Sequence, residues 1–465
     1  MRDIALVLVF AWALIQVFRQ VHHGVYLWTW FSLMNPHKLA WGFATTFPFA
    51  TIIALATFVS LFINKAPKQK VWHPETVTIL LLTLWVTLTT FVFAFYPDNA
   101  IREWERFVKI QLFIFLTILL ITDKKKLNGL VWVMALSIGF FGFKGGVFTV
   151  LTGGGARVWG PEGSFIGGNN ELALALLMTV PMLRYLFLQE SRVWIKRALL
   201  VGILLCMISI VGTQSRGALL GIIAIGVFLA MKSRNKVGIS VVLLISAITI
   251  AALMPDSWWE RMNTIRTYQE DASAMSRLNA WGLAWNVATD TIVGGGANLT
   301  SVQTYRIYAP FPFDKPYDFH SIYFEILGEQ GFPGLFLFLL LGWLFWRRCS
   351  RLVKQYRSDS ERRWAADLGA MLQVSFIGYA VSGAFLGLAY FDYYYTLIAT
   401  AVIASMVAEK AVAAPEPQTG ESSGHVASDS DRLGNRPGNE RPKSGQSGAG
   451  YGQRSKNDSN SYANR

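Results

Sequence analysis

Up to about residue 408 the chain alternates uncharged apolar runs with short polar connections. The runs fall near residues 4–18, 47–63, 77–96, 104–121, 127–151, 171–188, 196–212, 215–231, 237–254, 319–346, 369–388 and 391–407. A helix needs about 20 apolar residues to cross the hydrocarbon layer. The pattern therefore predicts about twelve transmembrane helices. Because the runs are continuous instead of alternating residue by residue, helices are expected and not a β-barrel. The stretch from Gly24 to Met34 is apolar and aromatic but about half the crossing length, and it reads as an interfacial or re-entrant piece. The expected fold is an all-α polytopic membrane protein with a large, partly helical outer loop over 255–318.

Basic residues gather in every second connection: Lys65, Lys68 and Lys70; Lys124 to Lys126; Arg192, Lys196 and Arg197; Lys232, Arg234 and Lys236; and Arg347 to Arg363. By the positive-inside rule these connections face the cytoplasm, which puts both termini inside if there are twelve spans. Thr152 to Asn170 and Pro255 to Asp318 then face outward. The first run has no small-residue cleavage site behind it and reads as a retained anchor. From residue 409 to 465 the composition turns to Gly, Ser, Asn, Pro and Gln, so the domain boundaries are expected at 1–408 for the membrane domain and 409–465 for a disordered cytoplasmic tail.

Composition agrees with a membrane protein. Of 465 residues, 53% are apolar and 15% charged, whereas soluble domains carry about 25% charged residues. A water-soluble enzyme is excluded. The net charge of +13 lies in the alternate connections, so it implies membrane topology and no nucleic-acid partner. The two cysteines, Cys206 in a run and Cys349 on the inner side, offer no disulfide framework. The chain has no P-loop, no Cys-x-x-Cys and no His-Glu-x-x-His.

Candidate chemistry lies where polar groups are expensive. Arg216, in Gly212-Thr213-Gln214-Ser215-Arg216-Gly217, tops a run on the basic-poor side. A guanidinium there points to a paired or wet functional site, or to snorkelling toward headgroups. The outer loop holds Arg261, Arg266, Arg277 and Arg306; Arg277 lies near the start of a helical pattern that continues through Trp281 and Trp285, where an anion could meet both guanidinium and helix N-terminus. The alternative there is a solvated helix face. Glycine triplets at 153–155 and 294–296 permit close approach to a phosphate, and ordinary turns explain them equally. His320, where the long loop re-enters the membrane, suits general-base work near neutral pH, or is simply a hydrogen-bonded interfacial histidine. Its orienting partner is open: Asp318 is close in sequence, and Glu325 lies about 140° around a regular helix.

In order, Thr213-Gln214-Ser215-Arg216-Gly217-Ala218-Leu219-Leu220, Ser276-Arg277-Leu278-Asn279-Ala280-Trp281, Gly294-Gly295-Gly296, His320-Ser321-Ile322-Tyr323 and Gly328-Glu329-Gln330-Gly331-Phe332-Pro333-Gly334 resemble the O-antigen ligase and polymerase superfamily. The resemblance is close over roughly 202–341 and is especially similar to exosortase-associated O-glycosylation ligases. It implies a multi-span helical enzyme of the bacterial inner membrane whose site faces the periplasm. It also implies glycan transfer from undecaprenyl diphosphate to an acceptor hydroxyl, with neither metal nor cofactor, most simply O-antigen ligation to lipid A core. Position by position, Arg216 and Arg277 match arginines that hold the diphosphate, and His320 matches the catalytic histidine. Arg157, Arg306 and Asn170 are further expected substrate contacts, although Gly168-Asn169-Asn170 departs from the family's usual Asn-Pro-Asn. Rival readings are an O-antigen polymerase, a protein O-oligosaccharyltransferase and, from another class, a secondary transporter; against the last, no pair of interrupted helices recurs in two matching halves.

Overall fold

A computed structural model describes residues 2–232 and 272–413, and within them all regular structure is helical. Six helical stretches are long and apolar enough to cross a membrane: Pro74–Phe93, Lys124–Leu151, Asn169–Gln189, Val193–Gly212, Ile322–Tyr356 and Arg363–Phe385. The expected spans 4–18, 47–63, 104–121, 215–231 and 391–407 are also helical but fall outside that set. The expected span 237–254, Arg261 and Arg266 lie outside the described residues, as does nearly all of the expected tail.

The helices are α1 (Arg2–Arg19), α2 (His22–Met34), α3 (Phe49–Ile63), α4 (Pro74–Leu88, prolonged by a wide turn to Phe93), α5 (Pro97–Leu120), α6 (Lys124–Leu151), α7 (Asn169–Gln189), α8 (Val193–Gly212) and α9 (Arg216–Lys232). After the undescribed stretch come α10 (Ala272–Thr291), α11 (Val302–Tyr308), α12 (Ile322–Tyr356), α13 (Arg363–Ser382) and α14 (Asp392–Ala413). Local chemistry sets several starts. Pro74 and Pro97 occupy first turns, where a missing N–H leaves nothing unsatisfied. The Asp123 carboxylate accepts from the Lys126 amide at 2.9 Å and caps α6.

The described basic connections share one end of the bundle. Gln69 receives a hydrogen bond from Lys410 and its amide donates to Leu119 O; Lys124 lies over the Trp364 ring; Gln189 bonds Asp367. At this basic end Arg348 and Glu75 form a buried two-pronged ion pair, both bonds 2.7 Å. The opposite, far end collects the connections 152–168, 213–215, 292–321 and 383–391.

Two expectations about the first helices are corrected. The α1 C-terminus is pinned to the basic end, where Asn64 and Ser60 donate to Phe18 O and Val17 O. Its first residues, Arg2 and Asp3, bond the backbone of Leu39, Gly42 and Ala44 at the far end. The two ends of the described chain therefore lie at opposite ends of the bundle, not on one side. The segment read as an interfacial or re-entrant piece is α2, which runs between the two ends and packs on α1, α3, α5 and α6. Val25, Leu27, Phe31 and Leu33 are all buried, so a helix of only 13 residues is accommodated inside protein, where lipid thickness does not set its length.

Within α12 the helix breaks at Gly331 (φ 64°, ψ −166°), two residues before Pro333. A Cβ at Gly331 would stand 2.0 Å from Ile292 O, so the break and the backbone of the preceding loop fit only without a side chain.

Candidate functional site

The far end is built by hydrogen bonds that tie its loops to helix termini. The turn between α8 and α9 is held by Asn169, whose amide donates to Thr213 O at 2.9 Å, and by Gln214, which donates to Gly154 O at 3.1 Å. Arg157 donates to Gln214 Oε1 at 3.2 Å. Gln214 itself adopts φ 55°, and Ser215 Oγ accepts from Ala218 N to start α9. Arg216 is thus the first residue of a helix whose preceding turn is fixed on three sides, and it is half-buried.

From that turn a chain of contacts leads to the histidine. Ser382 donates to Gly217 O at 3.0 Å, beside Phe385. The Phe385 ring lies 6.2 Å from Trp281 of α10. Trp281 stacks on Phe324 at 5.1 Å and 9°, while its indole N–H donates to Phe319 O at 2.8 Å. Trp281 therefore grips both flanks of His320. That imidazole sits at φ 46°, a left-handed backbone that costs roughly 1–3 kcal/mol and persists only when the surroundings impose it.

Arg277, one turn before Trp281 on α10, shares its field with His320, and Glu171 at the start of α7 lies within electrostatic reach of Arg277 and of Asp318. Burial pulls the His320 pKa below its ordinary 6.5; the Arg277 guanidinium pulls it further down, and the Asp318 carboxylate partly opposes both. The imidazole is accordingly neutral at pH 7 and able to accept a proton. Glu325, one of the two partners left open by the sequence, accepts instead from Ala389 N at 2.9 Å.

The sequence candidates divide accordingly. Arg277 and His320 are brought together, with Arg216 at the adjoining turn and Arg157 bonded into that same turn. Asn170 is half-buried on the first turn of α7, beside Asn169 and Glu171. Arg306 is exposed on α11, and no described contact brings it to this cluster. Neither glycine triplet offers free amides. Gly294 N donates to Thr291 Oγ1, Gly295 N to Gly328 O and Gly296 N to Glu329 O, at 2.9–3.1 Å. Gly153, Gly154 and Gly155 all bond back into the end of α6. The turn reading of both triplets is correct, because each amide is already engaged.

Sequence reasoning passed over Glu171 and Trp281. Each carried a signal: an acid in the first turn of an apolar run, and an indole whose N–H needs a partner once buried. It also passed over the bracing behind the site, where Glu329 accepts from Asn298 N and Tyr390 OH, both at 2.7 Å. No group of three or more His, Cys, Asp or Glu among the described residues is placed to hold a metal ion.

Membrane-length helices, with arginine, histidine and carboxylates gathered at one end, define a polytopic helical membrane protein. Residues 200–339 match the family model described as O-Antigen ligase, and residues 1–191 match a family of unknown function. Over residues 200–339 the chain is similar to the O-antigen ligase-like superfamily, and at the family level that likeness points to a glycosyltransferase-type reaction on lipid-linked glycans. No curated protein matches it.

Proposed function

We propose that the protein transfers a glycan from undecaprenyl diphosphate to an acceptor hydroxyl on the periplasmic side of the bacterial inner membrane, without a metal, with O-antigen ligation to lipid A core as the leading reaction. The observation that carries this reading is the pairing of Arg277 with a strained, neutral His320 43 positions along the chain, beside the fixed turn that presents Arg216.

The polyprenyl tail lies among the spans and the diphosphate at the far end, against Arg216 and Arg277. As the acceptor oxygen attacks the anomeric carbon, the bond from that carbon to the diphosphate oxygen breaks, and the electron pair leaves with undecaprenyl diphosphate. The arginines stabilise the charge that grows there, more strongly in the transition state than in the ground state. His320 accepts the hydroxyl proton. A single displacement inverts the anomeric centre and leaves no sugar on the enzyme. Asp318 partly offsets the pull of Arg277 on the imidazole, which limits how far the histidine pKa falls.

The test is reconstitution of purified protein with an undecaprenyl-diphosphate glycan in chelator, offering lipid A core, a lipid-linked glycan and a serine-rich peptide side by side. Transfer to one of these that depends on His320 supports the reading, and the acceptor used distinguishes ligase, polymerase and protein transferase. Full activity in His320→Ala, or activity abolished by chelator, overturns the mechanism.

A further inference from the structure

A cavity of about 610 Å³, lined by neither His320 nor Arg277, opens at the far end between α2 and the connection after it, the middle of α5 and the 152–168 loop. Aromatic rings, Trp28, Phe31, Phe49 and Phe165 among them, form much of its wall, and Lys38, Arg106 and Lys109 bring three cations to it. No Asp or Glu is among its described lining residues. Ser32 in its lining donates to the Asp392 carboxylate. His37 also lines the cavity, and its buried Nδ1 has no hydrogen-bond partner among the described residues.

Three cations at one mouth are costly to hold together unless something negative answers them. The internal answer is weak. Arg106 pairs with Glu103 at 3.0 Å and Lys109 with Glu105 at 3.2 Å, each an exposed contact within one helix. Such pairs contribute little and exchange readily for a better partner. Arg106 is also laid over the Phe165 ring, 5.1 Å from its centroid, which holds the guanidinium at the cavity wall. Lys38 reaches the cavity from the opposite side, its Nζ beside Gly163.

We propose that this cavity is a second anion site, separate from the transfer site, and that it takes a phosphate ester: the guanidinium and two ammonium groups bind the phosphate, and the aromatic wall receives the group attached to it. A phosphate ester, whether a monoester with up to two negative charges or a diester with one, presents tetrahedrally arranged oxygens to several cations at once, which a planar carboxylate does not.

Isothermal titration of the full-length protein in a zwitterionic detergent, with glycerol 1-phosphate, inorganic phosphate and acetate, tests the ligand class. Native mass spectrometry from nanodiscs of mixed phosphatidylglycerol and phosphatidylcholine tests the lipid source. Retention of phosphatidylglycerol assigns a lipid headgroup, and binding of glycerol 1-phosphate alone assigns a soluble ester. Arg106→Gln and Lys38→Gln should each weaken whichever is bound about tenfold. Arg106→Lys should recover part of the loss, and His320→Ala should change nothing, which keeps this test independent of the transfer mechanism. Acetate binding as tightly as the phosphates, absence of binding in every arm, or equal binding by wild type and Gln variants with unchanged melting would overturn the proposal.

Discussion

Two arginines at opposite ends of the bundle are used in different ways. Arg348, at the basic end, is 8% exposed and is matched by Glu75, 1% exposed, through two bonds of 2.7 Å. Its charge is consumed in holding α12 to α4. Arg277, at the far end, is half-buried and shares its field with an imidazole and a carboxylate. The first geometry is closed to ligands by its own completeness. The second sets a cation and carboxylates around a titratable imidazole. Arg348 is thus committed to a fixed carboxylate, whereas Arg277 acts on the ionisation of a neighbouring imidazole.

The difference should be largest in stability. Arg348→Ala leaves Glu75 buried alone and should lower unfolding free energy by about 3–5 kcal/mol, whereas replacing both partners by Met and Leu should recover most of that loss. Chemical denaturation in detergent measures it, and a negligible change in the single variant would erase the contrast. His320→Ala should do the reverse: transfer falls about 10²- to 10⁴-fold while the denaturation midpoint stays near wild type. A large loss of stability there would mark His320 as a structural residue. Arg277→Gln should reduce the turnover rate roughly 100-fold with a smaller effect on donor KM, because its charge is needed most as the diphosphate departs. A change confined to KM would make it a docking group and nothing more.

The helices were legible because apolar runs report on what surrounds a segment, and most of these segments meet either lipid or one another. The path of the first two helices was not. A break at Gln20-Val21 leaves α2 too short for a bilayer rule, and only its burial among α1, α3, α5 and α6 shows that protein surrounds it. Arg216, Arg277 and His320 stood out singly because polar groups at apolar boundaries are expensive. The approach of Arg277 to His320 could not be read from periodicity, since it depends on Trp281 reaching Phe319 O across 38 positions, and the turn before Arg216 is linked to them only through Ser382 and Phe385. The glycine triplets were ambiguous for a related reason: a glycine states that something comes close and does not say whether it is phosphate or the broken backbone of α12.

The smallest predicted effect is the most discriminating. If His320 works as a base, transfer must fail on the acid side as the imidazole becomes protonated, with a limb below its ordinary 6.5 because burial and Arg277 both favour the neutral form. Removing the guanidinium in Arg277→Gln takes away one of those influences, so the histidine pKa rises and the acid limb of kcat/KM must move to higher pH. Removing the opposing carboxylate in Asp318→Asn makes protonation harder, and the limb must move to lower pH. Each displacement should be a fraction of a unit to about one unit, the range a neighbouring half-exposed charge produces. Two substitutions on opposite sides of one imidazole, shifting one limb in opposite directions, cannot be produced by general loosening of the far end, which would move both the same way. Limbs that shift together, or not at all, would mean that the ionisation seen in the rate belongs to the acceptor or to another group, and that Arg277 and His320 are neighbours in space without being partners in the chemistry.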